Sequence, residues 1–209
     1  MDLVTKIKNN PALKEKALWL LVPSGESRPR WWVSVFVNPF CHKRGRRSVI
    51  RSTVRKDVVP FHKFVLGSGA VVEDYSVINN GMGDVMIGEK SFIGMGNVII
   101  GPVEIGKNVI MAQHVVLSGL NHGYEDPYVP IKEQPCSFSK ITIGDDSWIG
   151  ANAVITAGVS IGKHVVVAGG SVVVRPVPDY CVVGGNPARI LKRYNFHERK
   201  WEKAQNESI

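Results

Sequence analysis

The chain has 209 residues, of which 44% are hydrophobic and 21% are charged, a composition typical of a soluble globular protein. Its three cysteines show no C-x-x-C spacing, which argues against a disulfide framework or a zinc site and favours a reducing compartment.

The net charge of +8 is unevenly distributed, because residues 1–66 carry 14 Lys/Arg against 4 Asp/Glu and residues 67–209 carry 12 against 14. The basic first third is either a solvated face or a surface that attracts anionic lipid, acidic polysaccharide or nucleic acid. Of these partners, we do not expect nucleic acid.

Residues 1–64 are predicted to form a basic N-terminal cap. Within it, residues 11–18 predict a helix and residues 31–37 a strand. No stretch reaches the ~18–20 apolar residues needed to span a bilayer, and the short apolar run at 17–22 lacks a cleavage site. We therefore expect a cytoplasmic protein, with peripheral membrane contact through the cap left open.

A six-residue repeat organises residues 65–183. Neither the 3.6-residue period of a helix nor the two-residue period of a strand explains it. The repeat predicts short strands and turns, three of which close a coil of about 18 residues that stacks on its neighbour. We expect the repeated aliphatic residue to point inward and the glycine that often follows it to supply a turn conformation. The in-phase aliphatic positions are Ile87, Ile93, Ile99, Ile105, Met111, Leu117, Ile143, Ile149, Ile155, Ile161, Val167 and Val173.

Upstream, Leu66, Val72 and Ile78 follow the same spacing, so we expect the first coil to begin near residue 65. The nine-residue step from Ile78 to Ile87 predicts a bulge or turn at residues 79–83. Downstream, the glycines and proline of residues 184–187 are expected to end the coils. A polar helix is predicted to follow within the tail, residues 184–209.

Three motifs extend the repeat towards a known family: Ser147-Trp148-Ile149-Gly150-Ala151, Ala168-Gly169-Gly170-Ser171 and Gly184-Gly185-Asn186-Pro187-Ala188-Arg189. With them, the sequence resembles the hexapeptide-repeat acyltransferases, which include galactoside and maltose acetyltransferases. The segment Asn121-His122-Gly123-Tyr124-Glu125-Asp126-Pro127 is most similar to the capsule and lipopolysaccharide O-acetyltransferase branch. The resemblance implies an all-β fold, a left-handed parallel β-helix. It also implies acetyl-CoA as the co-substrate, no metal, and a homotrimer with sites between subunits.

The repeat loses its phase between Leu117 and Ile143, which are 26 residues apart. Residues 118–140 are therefore expected to leave the coil as an extruded loop, and such loops often carry function. His122 lies at the root of this loop, where a histidine with a pKa near working pH suits general-base chemistry. The family resemblance assigns a histidine at this place the catalytic role. Its second ring nitrogen needs a partner, and Glu125, Asp126 and a backbone carbonyl are open alternatives.

The resemblance also implies where the acyl donor and acceptor bind. Pantetheine is expected along Trp148, Gly150, Ala151 and Gly169, with the phosphates of CoA on Arg175 and Lys192. The backbone N–H groups of Gly150 and Ala151 are candidates for stabilising the oxyanion. Candidate acceptor-binding residues are Asn97, Asn121 and Tyr124, although Asn97 is equally consistent with hydrogen bonding between coils.

The hypothesis that fits these features is an acetyl-CoA-dependent O-acetyltransferase acting on a sugar hydroxyl of a surface polysaccharide or its precursor. The chain has Ile100-Gly101-Pro102 where sugar-specific relatives carry an aspartate pair, which disfavours simple galactosides and maltose. Transfer to an amine of an antibiotic or amino sugar is the enzymatic alternative, and a non-catalytic scaffold is another. A zinc enzyme of the same fold is disfavoured because His114 and His122 are eight residues apart.

Overall fold

The structure, a computed structural model, describes residues 10–204. Its body is a parallel β-helix of six complete coils, each built from three short strands on three faces. Each of the three faces, named A, B and C, stacks one strand from every coil, and face B continues beyond the sixth coil. The β-helix predicted from the six-residue period is thus confirmed.

The coils follow one another along the chain with a single large interruption, a hairpin between the fourth and fifth coils. The first four coils comprise β1 (Lys43–Arg44), β2 (Val49–Ile50), β3 (Arg55–Asp57), β4 (Phe64–Leu66), β5 (Val71–Val72), β6 (Val77–Asn79), β7 (Val85–Ile87), β8 (Phe92–Ile93), β9 (Val98–Ile100), β10 (Val103–Ile105), β11 (Ile110–Met111) and β12 (Val116–Ser118). The hairpin strands are β13 (Leu120–His122) and β14 (Cys136–Phe138). The remaining strands are β15 (Ile141–Ile143), β16 (Trp148–Ile149), β17 (Val154–Ile155), β18 (Ser160–Ile161), β19 (Val166–Val167), β20 (Val172–Val173), β21 (Cys181–Gly185), β22 (Ala188–Asn195) and β23 (Lys200–Lys203). Face A stacks β1, β4, β7, β10, β15 and β18, and face C stacks β3, β6, β9, β12, β17 and β20. Face B stacks β2, β5, β8, β11, β16 and β19, and then continues through β21, β22 and β23.

The repeated aliphatic residues form three columns inside the solenoid, one behind each face. On face B, Ile93 pairs in register with Met111, which pairs with Ile149, and all three are fully buried. Equivalent columns run behind face A through Ile87 and Ile105, and behind face C. Each coil therefore covers the apolar side chains of the next, and burial of these side chains is the main stabilising contribution.

The glycine after each aliphatic residue has a different role from the one expected. The left-handed turn residue lies two positions later, for example Asn152 with φ 58° after Gly150. A Cβ on Gly150 would instead come within 2.5 Å of the backbone nitrogen of Gly169 in the next coil. Glycine is required there because the turns of successive coils stack closely, and the left-handed conformation falls on other residues.

The solenoid begins earlier than the expected residue 65. Strand β1 already pairs in parallel with β4, with Lys43 opposite Val65. Of the three inward positions in this first coil, Arg44, Ile50 and Lys56, only one is aliphatic. The hydrophobic period therefore could not reveal this coil, although its backbone follows the same path as the others.

From residue 10 onwards, three short helices precede the first coil: α1 (Pro11–Leu21), α2 (Trp31–Phe36) and α3 (Asn38–Cys41). The helix predicted near residues 11–18 is confirmed, and the Asn10 side chain caps it by accepting from the N–H groups of Ala12 and Leu13. The strand predicted at 31–37 is wrong, because this segment is the helix α2. Its β-branched and aromatic residues suit a strand, but they pair with no sheet edge, and context overrides propensity. None of the helices within residues 10–204 is long and apolar enough to cross a bilayer.

The helix predicted for the C-terminal tail is also wrong. Residues 184–187 reverse the chain, so that β22 runs antiparallel to β21 and β23 runs antiparallel to β22. Ala188 and Ile190 are buried while Arg189 and Leu191 are exposed, the alternation of a strand with one covered face. Tyr194 opposite Trp201 adds an aromatic cross-strand pair at 5.4 Å between ring centroids.

Candidate active site

The interruption of the solenoid is an ordered β-hairpin at the corner where face C passes into face A. Its strands β13 and β14 are antiparallel, with Asn121 opposite Ser137 and His122 opposite Cys136. The Gln134 side chain closes the hairpin, because its Nε2 donates to the carbonyls of Asp126 and Val129, each at 2.8 Å. His122 is consequently presented by a strand pair attached directly to the fourth coil.

The contact to His122 comes from a residue that the sequence reasoning missed. The Sγ atom of Cys136 lies 3.4 Å from Nδ1 of His122. The two carboxylates considered for this role are engaged locally: Glu125 accepts from the N–H of Tyr124 at 2.9 Å, and Asp126 accepts from the N–H of Tyr128 at 2.9 Å. Backbone hydrogen bonds lower the pKa of Glu125 below its usual value. No sequence motif marked Cys136, because its position depends on the register of the hairpin.

The residues expected to bind the acyl donor occupy two different corners. Gly150 and Ala151 form the turn from face B to face C in the fifth coil, and Gly169 forms the equivalent turn in the sixth. Arg175 follows β20 and lies at the corner from face C to face A, as His122 does. Within one chain, the glycine turns and His122 therefore lie at opposite edges of face C.

The backbone N–H of Gly150 is already used within the solenoid. It donates to the carbonyl of Val167 at 2.8 Å, one of the bonds that join successive coils. Gly150 is therefore not available as an oxyanion donor, contrary to expectation, because the coil-to-coil ladder consumes its N–H. Ala151, the other residue expected to stabilise the oxyanion, lies in the same turn and is only half-buried.

Trp148 and Lys192 lie along one outward row of face B. Ile110 pairs in register with Trp148, Trp148 with Val166, Val166 with Val182, and Val182 with Lys192 of the terminal hairpin. The side chains of Ile110 and Trp148 are each 52% exposed in the single chain. A continuous apolar row of this kind is typical of a surface that a partner covers.

The three candidate acceptor residues have different environments. Asn97 is fully buried, donates to the carbonyls of Gly94 and Ala112, and accepts from the N–H of Val115. It is an internal asparagine that joins coils, so the expectation that it faces an acceptor is wrong. Asn121 and Tyr124 are both exposed on the hairpin, next to His122 in sequence.

The described part of the chain contains no group of three His, Cys, Asp or Glu residues arranged to hold a metal ion. All three cysteines are free thiols: Cys41 and Cys136 are exposed and Cys181 is buried.

The solenoid coils on either side of the histidine-bearing hairpin match a known protein family. The family model "Bacterial transferase hexapeptide (six repeats)" matches residues 84–119 and 140–175, on either side of the hairpin. The chain is similar to this family over those residues.

Several relatives of the chain are named as acetyltransferases. The chain is 32% identical over 139 residues to a protein of Mycobacterium tuberculosis named as a probable acetyltransferase, covering 66% of this chain and 45% of the relative. It is 35% identical over 109 residues to the "Putative lipopolysaccharide biosynthesis O-acetyl transferase WbbJ" of Escherichia coli, covering 49% of this chain and 56% of the relative. It is 36% identical over 99 residues to the galactoside O-acetyltransferase of Escherichia coli, covering 47% and 48%. The chain thus spans about half the length of these curated relatives.

Among solved structures, the chain is similar to AntD, an N-acyltransferase from Bacillus cereus solved with dTDP-4-amino-4,6-dideoxyglucose and coenzyme A. The TM-score is 0.64 at 20% identity, covering 72% of this chain and 82% of AntD. At this identity, the likeness extends to the fold and not to the substrate.

Proposed function

We propose that the protein is an acetyl-CoA-dependent O-acetyltransferase that acts on a sugar hydroxyl of a surface polysaccharide or its precursor. The observation that carries this proposal is the position of His122, held by a hairpin at the only long interruption of the described solenoid. The named acetyltransferase relatives support the reaction class, and the lipopolysaccharide relative supports a carbohydrate acceptor. The coenzyme A bound by AntD is consistent with this donor.

In the proposed reaction, Nε2 of His122 takes the proton of the acceptor hydroxyl as its oxygen attacks the thioester carbonyl. The tetrahedral intermediate then collapses with loss of the CoA thiolate, which recovers the proton from the imidazolium. Nε2 can accept a proton only if the neutral ring carries its hydrogen on Nδ1. The 3.4 Å contact supports an Nδ1–H donated to Sγ of Cys136, so we propose Cys136 as the residue that fixes this tautomer.

We further propose a homotrimer whose sites lie between subunits, as is typical of this family. The separation of His122 from the Gly150 and Gly169 turns supports this arrangement, because a neighbouring subunit can supply the second corner. The exposed apolar row through Ile110 and Trp148 supports a subunit contact on face B. Light scattering of the active protein should give three times the mass of one chain, and an active monomer would contradict the proposal.

The decisive experiment is an acceptor screen that measures release of the CoA thiol from acetyl-CoA. We expect turnover with hydroxyl-bearing sugars or polysaccharide fragments and products that are stable esters. Faster turnover with amino sugars, giving amides, would instead assign N-acetylation. No turnover with any acceptor, together with no thermal shift at millimolar acetyl-CoA, would favour a non-catalytic scaffold.

A further inference from the structure

The first coil lacks two of the three aliphatic residues that the other coils place at their inward positions. In register, Arg44 lies opposite Leu66 and Lys56 lies opposite Ile78. Leu66 and Ile78 are buried members of the aliphatic columns. On faces A and C, two cations therefore occupy the register positions that aliphatic residues hold in the other coils, and both are exposed at the end of the solenoid.

These cations line a cavity of about 780 Å³ between the first coil and the helices α2 and α3. Lys43 also lines it, and its apolar wall includes Ile50, Val58 and Phe64. The cavity lining contains no acidic residue. Within residues 10–204, none of the three cations forms an ion pair, and the neighbouring Asp57 is already paired with Arg55 at 2.9 Å. The cavity therefore concentrates positive charge that the chain itself does not neutralise.

We propose that this cavity binds a phosphate ester. The phosphoryl oxygens would accept from Lys43, Arg44 and Lys56, the three cations that line it. The apolar wall fits the carbon part of the ester. Two sources share this chemistry, a free polyol phosphate and the headgroup of a glycerophospholipid. The second is relevant because α2 and α3, which border the cavity, expose Trp31, Phe36 and Phe40.

The test uses the full chain and two probes that contain glycerol phosphate. Binding of sn-glycerol 3-phosphate is measured by calorimetry, and binding of phosphatidylglycerol vesicles by co-sedimentation against phosphatidylcholine vesicles. The test variant is Arg44→Gln with Lys56→Gln. The matched control is Arg46→Gln with Arg47→Gln, which removes the same charge from the adjacent turn, outside the cavity. The assays contain no acetyl-CoA, so their outcome does not depend on transferase activity.

We expect at least one probe to bind, and its affinity to fall about tenfold or more in the test variant while the control changes by less than about twofold. Binding of the soluble ester would identify a free phosphate ester, and binding of the vesicles alone would identify a lipid headgroup. The variant Arg44→Leu with Lys56→Leu restores the aliphatic pattern of the other coils and should fold while failing to bind. Binding of neither probe by the wild type, or equal losses in the test and control variants, would overturn the proposal.

Discussion

The coils and the hairpin that interrupts them follow opposite rules. In the coils, the inward side chains are aliphatic and buried, and each coil bonds to the next through parallel strands. In the hairpin at residues 120–138, the side chains are mostly exposed, and the two strands form a sheet of their own. The coils therefore provide stability by stacking, whereas the hairpin adds little burial and carries His122, the proposed general base.

This comparison predicts that stability and turnover can be altered separately. The largest expected effect is on turnover, in His122→Ala. Loss of a general base typically lowers the rate by ~10²–10⁴-fold. Because His122 is exposed on the hairpin, the thermal midpoint should stay close to that of the wild type. CoA release and circular dichroism would measure the two properties, and near-normal acetyl transfer would end the assignment of His122.

A matched pair of isoleucines gives the complementary result for stability. Ile149 is fully buried in the face B column, whereas Ile131 on the hairpin is 57% exposed. Ile149→Ala should lower the free energy of unfolding by about 2–5 kcal/mol, because it leaves a cavity between coils. Ile131→Ala should change it by no more than about 0.5 kcal/mol. Equal losses in denaturant titrations would mean that the hairpin is as firmly packed as the coils.

Substitutions of the residues expected to contact the phosphates of CoA should weaken donor binding without slowing the acetyl transfer itself. If Arg175 and Lys192 contact the phosphates of CoA, replacing either by alanine should raise KM for acetyl-CoA by about 10–150-fold. Turnover at saturating donor should change little, since these contacts are the same in the ground and transition states. Acyl-pantetheine, which lacks the adenosine phosphates, is the control. An equal loss with acyl-pantetheine would show that the two residues are structural.

The smallest expected effect tests the contact within the hairpin. Cys136→Val removes the proposed acceptor for Nδ1 of His122 and should lower turnover by about 2–12-fold, the value of one hydrogen bond. Cys136→Ser retains an acceptor and should recover most of the activity. The pH profile should move in the valine variant and not in the serine variant, which separates tautomer control from packing. Identical profiles and rates in both variants would leave Cys136 without this role.

The repeating coils could be predicted from the sequence. Contacts that depend on how two strands pair could not. Ile93 and Ile149 lie in phase, so the period identified the coils and the loop between Leu117 and Ile143. The first coil could not be predicted because Arg44 and Lys56 stand where the repeat has aliphatic residues. His122 could be found because it lies at the phase break, whereas Cys136 becomes its neighbour only through the hairpin pairing.

The strands of the tail could not be predicted either, because its polar residues are compatible with both a strand and a helix. In the sequence, the apolar Ala188 and Ile190 on either side of the charged Arg189 are the signal that could have indicated β22. The short stretch that carries it is followed by charged residues, which masked the period. Pairing with β21 decides the outcome, and that edge exists only after the solenoid has formed.

The cations at the mouth of the solenoid have a further consequence for how chains meet each other. β1, β2 and β3 are edge strands, and an aliphatic triplet there would be a template on which another chain could stack its own coil. Arg44 and Lys56 place charge at the positions that such end-to-end growth would have to bury. Desolvating them against another chain's core is unfavourable, so the same residues oppose polymerisation into a continuous fibre.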